Sequence, residues 1–238
     1  MFTPSSSRSM STSLRVLSAL LSYPGPRMRS HLSEMRRALH DEHALPRARL
    51  LELNGLIDAL GRVDPLMCEA DYVEMFDRGR HTSLHLFEHV HGDSRDRGPA
   101  MIDLAQTYDK AGLLLAEGEL PDYLPAVLEF VSTQPPREAR AFLGEIAHIV
   151  NAIFAALVQR ESPYASVLAA LLELAGEKPH AVKPPAEESL DESWAEPVVF
   201  DGCESKGQQR PGQAQPIQIV RSRSAAIPPT HQAPGAAA

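Results

Sequence analysis

The chain has 238 residues and a formal net charge of −8, and most of the negative charge falls within residues 14–176. Aromatic residues make up only 5% of the sequence, whereas leucine and alanine are abundant, which favours helices over sheets. An acidic domain argues against nucleic acid as a partner, because phosphates require a basic surface. The charge is instead suited to long-range attraction of a cationic peptide.

Two cysteines, Cys68 and Cys203, are too few for the disulfide framework of a small secreted protein, and they favour a reducing compartment. The longest wholly apolar run, residues 152–158, is far shorter than the ~20 residues that span a bilayer. The apolar run 14–21 is interrupted by Arg15 and is followed by no small-x-small cleavage motif, which argues against a secretory signal. We therefore predict a cytoplasmic protein without a membrane-inserted segment.

Apolar residues recur at helical spacing through residues 14–176, and no stretch alternates with the period of two that strands require. Some helix starts are marked by a capping residue and a proline, as at Asp64-Pro65 and Ser162-Pro163. In chain order, the apolar stripes fall within residues 14–21, 28–39, 46–60, 64–77, 82–91, 99–115, 122–131, 136–157 and 163–172. We therefore predict an all-α fold, a single-domain bundle of about nine helices that follows a disordered N-terminus, residues 1–13.

The composition changes after residue 176, because nine of the twenty prolines fall within residues 177–238 together with many Gln, Ser and Ala residues. Such a segment buries too little apolar surface to offset the entropy lost on ordering. We therefore predict that residues 177–238 form a flexible tail. Within the tail, residues 190–200 hold an apolar cluster with the only tryptophan, Trp194, among acidic residues. This cluster indicates a docking patch, and the alternative interpretations are a chance cluster or a last helix packed on the core.

Residues 72–101 read YVEMFDRGRHTSLHLFEHVHGDSRDRGPAM and contain four of the ten histidines. Within them His85, Glu88 and His89 match the H-x-x-E-H pattern of inverted zinc peptidases. On a helix the two histidines would lie one turn apart and could both reach a metal, with Glu88 as general base and His81 one turn further on. A zinc metallohydrolase is therefore the alternative function. Against it, so short a motif arises easily by chance in a His-rich segment, and no sheet scaffold accompanies it.

The same region brings acidic residues close to aromatic ones in the sequence. The acids are Asp71, Glu74, Asp77 and Glu88, and the aromatic residues are Tyr72, Phe76 and Phe87. A groove floored by aromatic rings and rimmed by carboxylates would accept a basic amphipathic helix. A solvated acidic face is the alternative interpretation for any single acid. Salt bridges, such as one between Arg97 and Asp77, are a further alternative, and each would contribute only about 0–1 kcal/mol.

Residues 72–101, followed by ELPDYLPAVLEFVS at 119–132, resemble the NarJ-type nitrate reductase molybdenum cofactor assembly chaperones. That family belongs to the wider group of all-helical redox-enzyme maturation chaperones related to TorD and DmsD. The resemblance covers residues 14–176 and includes LRVLSALLSYPG at 14–25, and WAEPVVF at 194–200 is similar to the C-terminus of the family. The residues that match the first signature are Tyr72, Phe76, Asp77, Arg78, Gly79, Ser83, Leu84, His85, Phe87, Glu88, His89, Val90, His91 and Gly92. Those that match the second are Leu120, Pro121, Asp122, Tyr123, Leu124 and Pro125, where Tyr123 replaces a histidine that is frequent in the wider group.

The resemblance implies a cytosolic, noncatalytic and system-specific chaperone with no cofactor or metal of its own. It implies binding of the apo catalytic α subunit of respiratory nitrate reductase, including its N-terminal segment, while the molybdopterin guanine dinucleotide cofactor is inserted. A monomer and a homodimer are both open. The candidate client-peptide-binding residues are Tyr72, Phe76, Asp77, Leu84, His85, Phe87, Glu88, His89, His91, Asp122, Tyr123 and Leu124.

Overall fold

A computed structural model of the chain describes residues 9–91, 94–116 and 118–181. Residues 1–8 and the predicted docking patch at 190–200 lie outside the described residues. The helices are α1 (Ser11–Leu21), α2 (Pro26–Ser30), α3 (Leu32–Glu42), α4 (Arg47–Arg62), α5 (Pro65–Tyr72), α6 (Leu86–Val90), α7 (Arg97–Lys110), α8 (Leu124–Ser132), α9 (Pro136–Gln159) and α10 (Ala165–Ala175). A π-helical turn, Val73–Asp77, continues α5, and a 3-10 turn, Arg80–Thr82, follows it. Within these residues no strand forms, so the all-α prediction is confirmed.

Three predicted boundaries differ from the structure. The first helix begins at Ser11 instead of Leu14, so the end of the predicted disordered segment is helical. The second predicted helix is divided at His31, whose ring nitrogen Nδ1 lies 2.8 Å from the Arg27 carbonyl oxygen and so engages the end of α2. The predicted helix at 82–91 is only five residues long, because the residues before Leu86 are extended.

The core is built around α1, which packs mainly on α8. Leu14, Leu17, Leu20 and Leu21 are all fully buried. Burying such a side chain stabilises the fold by about 2–3 kcal/mol relative to leaving it in water. α9 and α10 pack along each other, and α10 is buried on nearly all sides. The N-terminal helix is therefore central to the bundle.

The longest helix, α9, is long and apolar enough by length and composition to cross a membrane. Its side chains Leu143, Ile153 and Leu157 are nonetheless fully buried against neighbouring helices. Packing within the bundle therefore accounts for part of the apolar composition of α9, in which 39% of the most apolar window is buried.

The N-terminus of α1 is capped by a side chain from another helix. The carboxylate of Glu42 accepts hydrogen bonds from Thr12 N–H (3.0 Å) and Ser13 N–H (2.6 Å), and from the Ser9 hydroxyl (3.0 Å). The first N–H groups of a helix lack intrahelical partners, so this carboxylate satisfies two of them. Partial burial raises the pKa of Glu42, but the hydrogen bonds from Ser13, Thr12 and Ser9 outweigh burial and hold the pKa below its usual value.

We expect Glu42→Ala to lower the free energy of unfolding by about 1 kcal/mol at neutral pH. Since the pKa of Glu42 is lower in the folded state than in the unfolded state, the stabilisation is fully present above the ordinary pKa of 4.5. It is lost as the pH falls through the lower folded-state pKa. Urea unfolding of both proteins at neutral and acidic pH measures this difference. As a control, Asp41→Ala removes an exposed carboxylate from the same helix. If the difference in the free energy of unfolding between the wild type and Glu42→Ala widened on acidification, this would contradict the capping role of Glu42.

Candidate functional site

The two signature segments of the sequence meet through main-chain pairing. Leu86 N–H donates to the Asp122 carbonyl oxygen at 3.0 Å, and Leu124 N–H donates to the Leu84 carbonyl oxygen at 2.8 Å. Between these bonds His85 and Tyr123 form an isolated antiparallel bridge. This pairing explains why residues 83–85 are extended and why α6 starts only at Leu86.

A fully buried carboxylate, Asp122, organises this junction. One oxygen accepts the Phe87 N–H at 3.1 Å, which caps α6, and the other lies 3.4 Å from His85 Nδ1. Arg97, at the start of α7, approaches the same carboxylate at 4.0 Å and Glu88 at 3.5 Å. The hydrogen bond to Asp122 raises the pKa of His85 above its ordinary value, against the opposing effect of partial burial. Asp122 thus lies between two basic side chains.

The geometry does not support a zinc site at His85, Glu88 and His89. His85 precedes α6 in an extended conformation, so the two histidines do not lie one turn apart on a helix. His89 Nε2 lies 2.9 Å from the Ser83 carbonyl oxygen, and His81 belongs to the separate 3-10 turn. Across residues 9–91, 94–116 and 118–181, no cluster of three or more His, Cys, Asp or Glu side chains is placed to hold a metal ion.

A row of four aromatic rings runs from the end of α1 to the paired segments. Tyr23 lies edge-on to Tyr72, with ring centroids 5.7 Å apart, and the Tyr72 hydroxyl lies 3.0 Å from that of Tyr123. Tyr123 in turn contacts His85, with ring centroids 5.4 Å apart. Tyr72 is buried, whereas Tyr23 is 48% exposed and Tyr123 and His85 are half-buried. We call the three accessible residues Tyr23, Tyr123 and His85 the tyrosine face.

Carboxylates surround the tyrosine face. Glu69 accepts a hydrogen bond from the Tyr23 hydroxyl at 3.0 Å, and this bond, together with the charges of Glu69 and Asp77, raises the pKa of Tyr23. Burial is the main cause that raises the pKa of Tyr123, and the charges of Asp77 and Glu119 add to it. An open depression of about 510 Å³ lies beside Tyr23 and Glu69, along α5 and the π-helical turn that continues it. The site is therefore an aromatic surface with an acidic rim.

The twelve candidate residues of the sequence fall into two groups. Five are at most 4% exposed and cannot contact a bound molecule in this conformation: Tyr72, Phe76, Leu84, Asp122 and Leu124. The other seven are accessible: Asp77, His85, Phe87, Glu88, His89, His91 and Tyr123. The buried five hold the surface in place, because Tyr72 bonds to Tyr123 and Asp122 bonds to the start of α6.

Sequence reasoning missed three residues of this site. Tyr23 marked only the end of the first helix, because Pro-Gly-Pro follows it. Glu69 occupied a position where the apolar stripe was ambiguous, and the structure buries Cys68 there instead. Arg97 pairs with Glu88 and Asp122, so its predicted salt bridge with Asp77 is wrong. Tyr23 and Tyr72 lie far apart in the sequence, so the spacing of residues within one helix could not indicate their contact.

The sequence and the fold of this chain are similar to those of known proteins. Residues 42–170 match the protein family described as nitrate reductase delta subunit. The nitrate reductase molybdenum cofactor assembly chaperone NarJ of Escherichia coli (strain K12) is 46% identical over 162 residues, which cover 68% of this chain and 69% of NarJ. NarW of the same organism, described as a chaperone of the same kind, is 52% identical over 108 residues, which cover 45% of this chain and 47% of NarW.

The crystal structure of a redox enzyme maturation protein from Archaeoglobus fulgidus is similar in fold, with a TM-score of 0.50 at 21% sequence identity. The similarity covers 71% of this chain and 94% of that chain. At this level of identity the likeness concerns the helical architecture alone.

Proposed function

The chain belongs to the nitrate reductase delta subunit family and is a NarJ-type nitrate reductase molybdenum cofactor assembly chaperone, and from this we propose that it binds the cofactor-free catalytic α subunit of nitrate reductase. The contact includes the N-terminal segment of that subunit. The protein acts in the cytoplasm, performs no catalytic chemistry itself and delays assembly of its client until the molybdenum cofactor has been inserted. The cofactor is cargo for the client and not a group held by this chain.

The observation that carries this proposal is the acid-rimmed tyrosine face. Exposed aromatic rings supply flat apolar area with few rotatable bonds. Their side chains therefore lose little conformational entropy when a helix binds to them. The carboxylates of Glu69, Asp77 and Glu119 attract a cationic segment and favour its correct placement. A basic amphipathic helix has both properties, because its apolar stripe would contact the rings and its basic residues would face the rim.

Phe87, two residues after His85 in the chain, adds an accessible aromatic ring on α6. Its ring is half-buried and contacts His91, with ring centroids 5.4 Å apart. The Phe87 main chain is fixed by Asp122, so the ring is held in place before any client binds. A surface that is already ordered loses less free energy on binding than one that must first be ordered.

We expect Tyr23→Ala and Phe87→Ala each to weaken binding of a synthetic client N-terminal peptide by about tenfold, because aromatic anchors dominate such interfaces. Isothermal titration calorimetry measures the affinity, and far-ultraviolet circular dichroism checks that helix content is kept. Leu51→Ala is the matched control, because Leu51 is a 62% exposed apolar residue of α4 outside the tyrosine face. Unchanged affinity in both aromatic variants would show that the client peptide does not bind to this surface.

The cellular role is tested by a pull-down from cells that grow on nitrate. We expect the α subunit to be recovered with the chaperone in its cofactor-free form. Metal analysis of the recovered α subunit decides the outcome. Recovery of only the cofactor-loaded subunit would contradict a role before cofactor insertion.

A further inference from the structure

A second cleft borders α5, and we call it the α5 cleft. It has a volume of about 320 Å³ and is formed by α4, α5, the π-helical turn and the turn between α9 and α10. Its apolar walls are Leu56, Ala59, Leu60, Val63, Cys68, Met75 and Pro163. None of the tyrosine-face residues lines it. The two cavities are distinct but adjacent, because Asp71 and Glu74 line both the α5 cleft and the depression beside Tyr23.

The rim of the α5 cleft carries carboxylates on both sides. Asp71 comes from α5 and Glu161 from the turn between α9 and α10, and neither side chain has a hydrogen-bond or ion-pair partner within the described part of the chain. Glu74 also lines the cleft and forms an exposed ion pair with Arg78 at 3.0 Å. Arg160 contributes the one basic group, and its guanidinium lies beside Gly79. The rim thus has two carboxylates that are free to pair with a cation.

The backbone of Glu161 adopts a φ of 50°, in the left-handed region that favours glycine. A residue with a side chain in this conformation costs roughly 1–2 kcal/mol. Glycine would remove that cost, but it would also remove the carboxylate from the rim.

The wall of the α5 cleft also contains a buried hydroxyl group. Tyr164 is 8% exposed, and its ring packs edge-on against Phe76 with centroids 5.0 Å apart. Its hydroxyl has no hydrogen-bond partner among the described residues. Burial raises the pKa of Tyr164, the charges of Cys68 and Asp71 add to this, and the charge of Arg29 opposes it. The hydroxyl oxygen itself is buried, so Tyr164 contributes to the wall of the cleft and not to its rim.

We propose that the α5 cleft is a second peptide-binding site, which takes a segment with a large apolar side chain and a lysine or arginine within one helical turn of it. The apolar walls receive the side chain, and a volume of about 320 Å³ exceeds that of one leucine or phenylalanine side chain. Asp71 and Glu161 pair with the cation. Binding at this cleft depends on the chemistry of the segment and not on the client proposed above.

Methionine methyl resonances of the full chain report directly on this site. Met75 lines the α5 cleft, whereas Met67, on α5 as well, is 57% exposed and lines neither cavity. The probe is a synthetic amphipathic helical peptide with leucines on one face and lysines next to them, titrated into protein with ¹³C-methyl-labelled methionine. We expect a saturable shift of the Met75 resonance and none of Met67. A matched peptide with glutamate in place of lysine should leave both resonances unchanged.

Charge-neutralising variants separate the cleft from nonspecific attraction. We expect Glu161→Gln to weaken binding of the lysine-containing peptide by about fivefold. Asp103→Asn removes one exposed carboxylate from α7 and should leave the affinity for this peptide unchanged. An unshifted Met75 resonance, equal shifts with both peptides, or equal losses in Glu161→Gln and Asp103→Asn would each overturn the proposal.

Discussion

Replacing Asp122 by alanine is expected to lower the free energy of unfolding by about 3 kcal/mol, because a buried charge partner is removed while its partners remain. The Phe87 N–H would lose its acceptor, and His85 and Arg97 would lose the carboxylate that lies between them. The start of α6 would then be uncapped. We also expect binding of the client N-terminal peptide to fall, because Phe87 and His85 would no longer be fixed.

Urea unfolding of the full chain measures the first effect, and peptide titration under conditions where both proteins are folded measures the second. Asp122→Asn should cost less, because an amide oxygen can still accept the Phe87 N–H. Asp103→Asn controls for the loss of one negative charge without burial. A loss of stability in Asp122→Ala as small as that in the exposed control would contradict the structural role of this carboxylate.

Gly79→Ala is expected to destabilise the fold by about 2–3 kcal/mol, because the added methyl group has no space. Gly79 lies between the π-helical turn and the 3-10 turn, and a Cβ atom there would lie 2.6 Å from the Met75 carbonyl oxygen. It would also collide with the Thr82 hydroxyl, which donates to that same carbonyl. The connection between the two turns would have to shift.

Gly144→Ala is the matched control, since a Cβ atom at this position in α9 meets nothing within 4 Å. A helical glycine replaced by alanine should stabilise the protein by about 0.5–1 kcal/mol. Thermal unfolding of the two variants should therefore move the midpoint in opposite directions. Equal behaviour of the two variants would show that Gly79 is not sterically required.

The helices could be predicted from sequence because their apolar stripes repeat with one period and face one core. Leu14, Leu17 and Leu20 are spaced three residues apart, and all three are fully buried. The same reasoning fails at the edges of the bundle. Leu66 lies in the apolar stripe predicted for residues 64–77, yet it is 75% exposed.

The candidate site could be predicted only in part, because its geometry depends on contacts between distant residues. The extended conformation of His85 results from pairing with Tyr123, and a helical reading of H-x-x-E-H cannot reveal that pairing. In the short helix that follows, Leu86 is buried and Val90 is 52% exposed. The rings of Tyr72 and Phe76 contact each other, but spacing alone does not distinguish a buried ring from one on the surface.

The central position of α1 has a consequence for the synthesis of the protein. The Ser18 hydroxyl bonds to the Pro125 carbonyl oxygen, 107 residues further along the chain, and the Ser11 hydroxyl bonds to the Ser132 carbonyl oxygen, 121 residues away. At about 5–20 residues per second, translation makes α1 roughly 5–20 s before α8. During that time the leucines of α1 lack the surface that covers them in the native fold. A chaperone of this architecture therefore produces a nascent chain that itself exposes an apolar helix until more than half of it has been made.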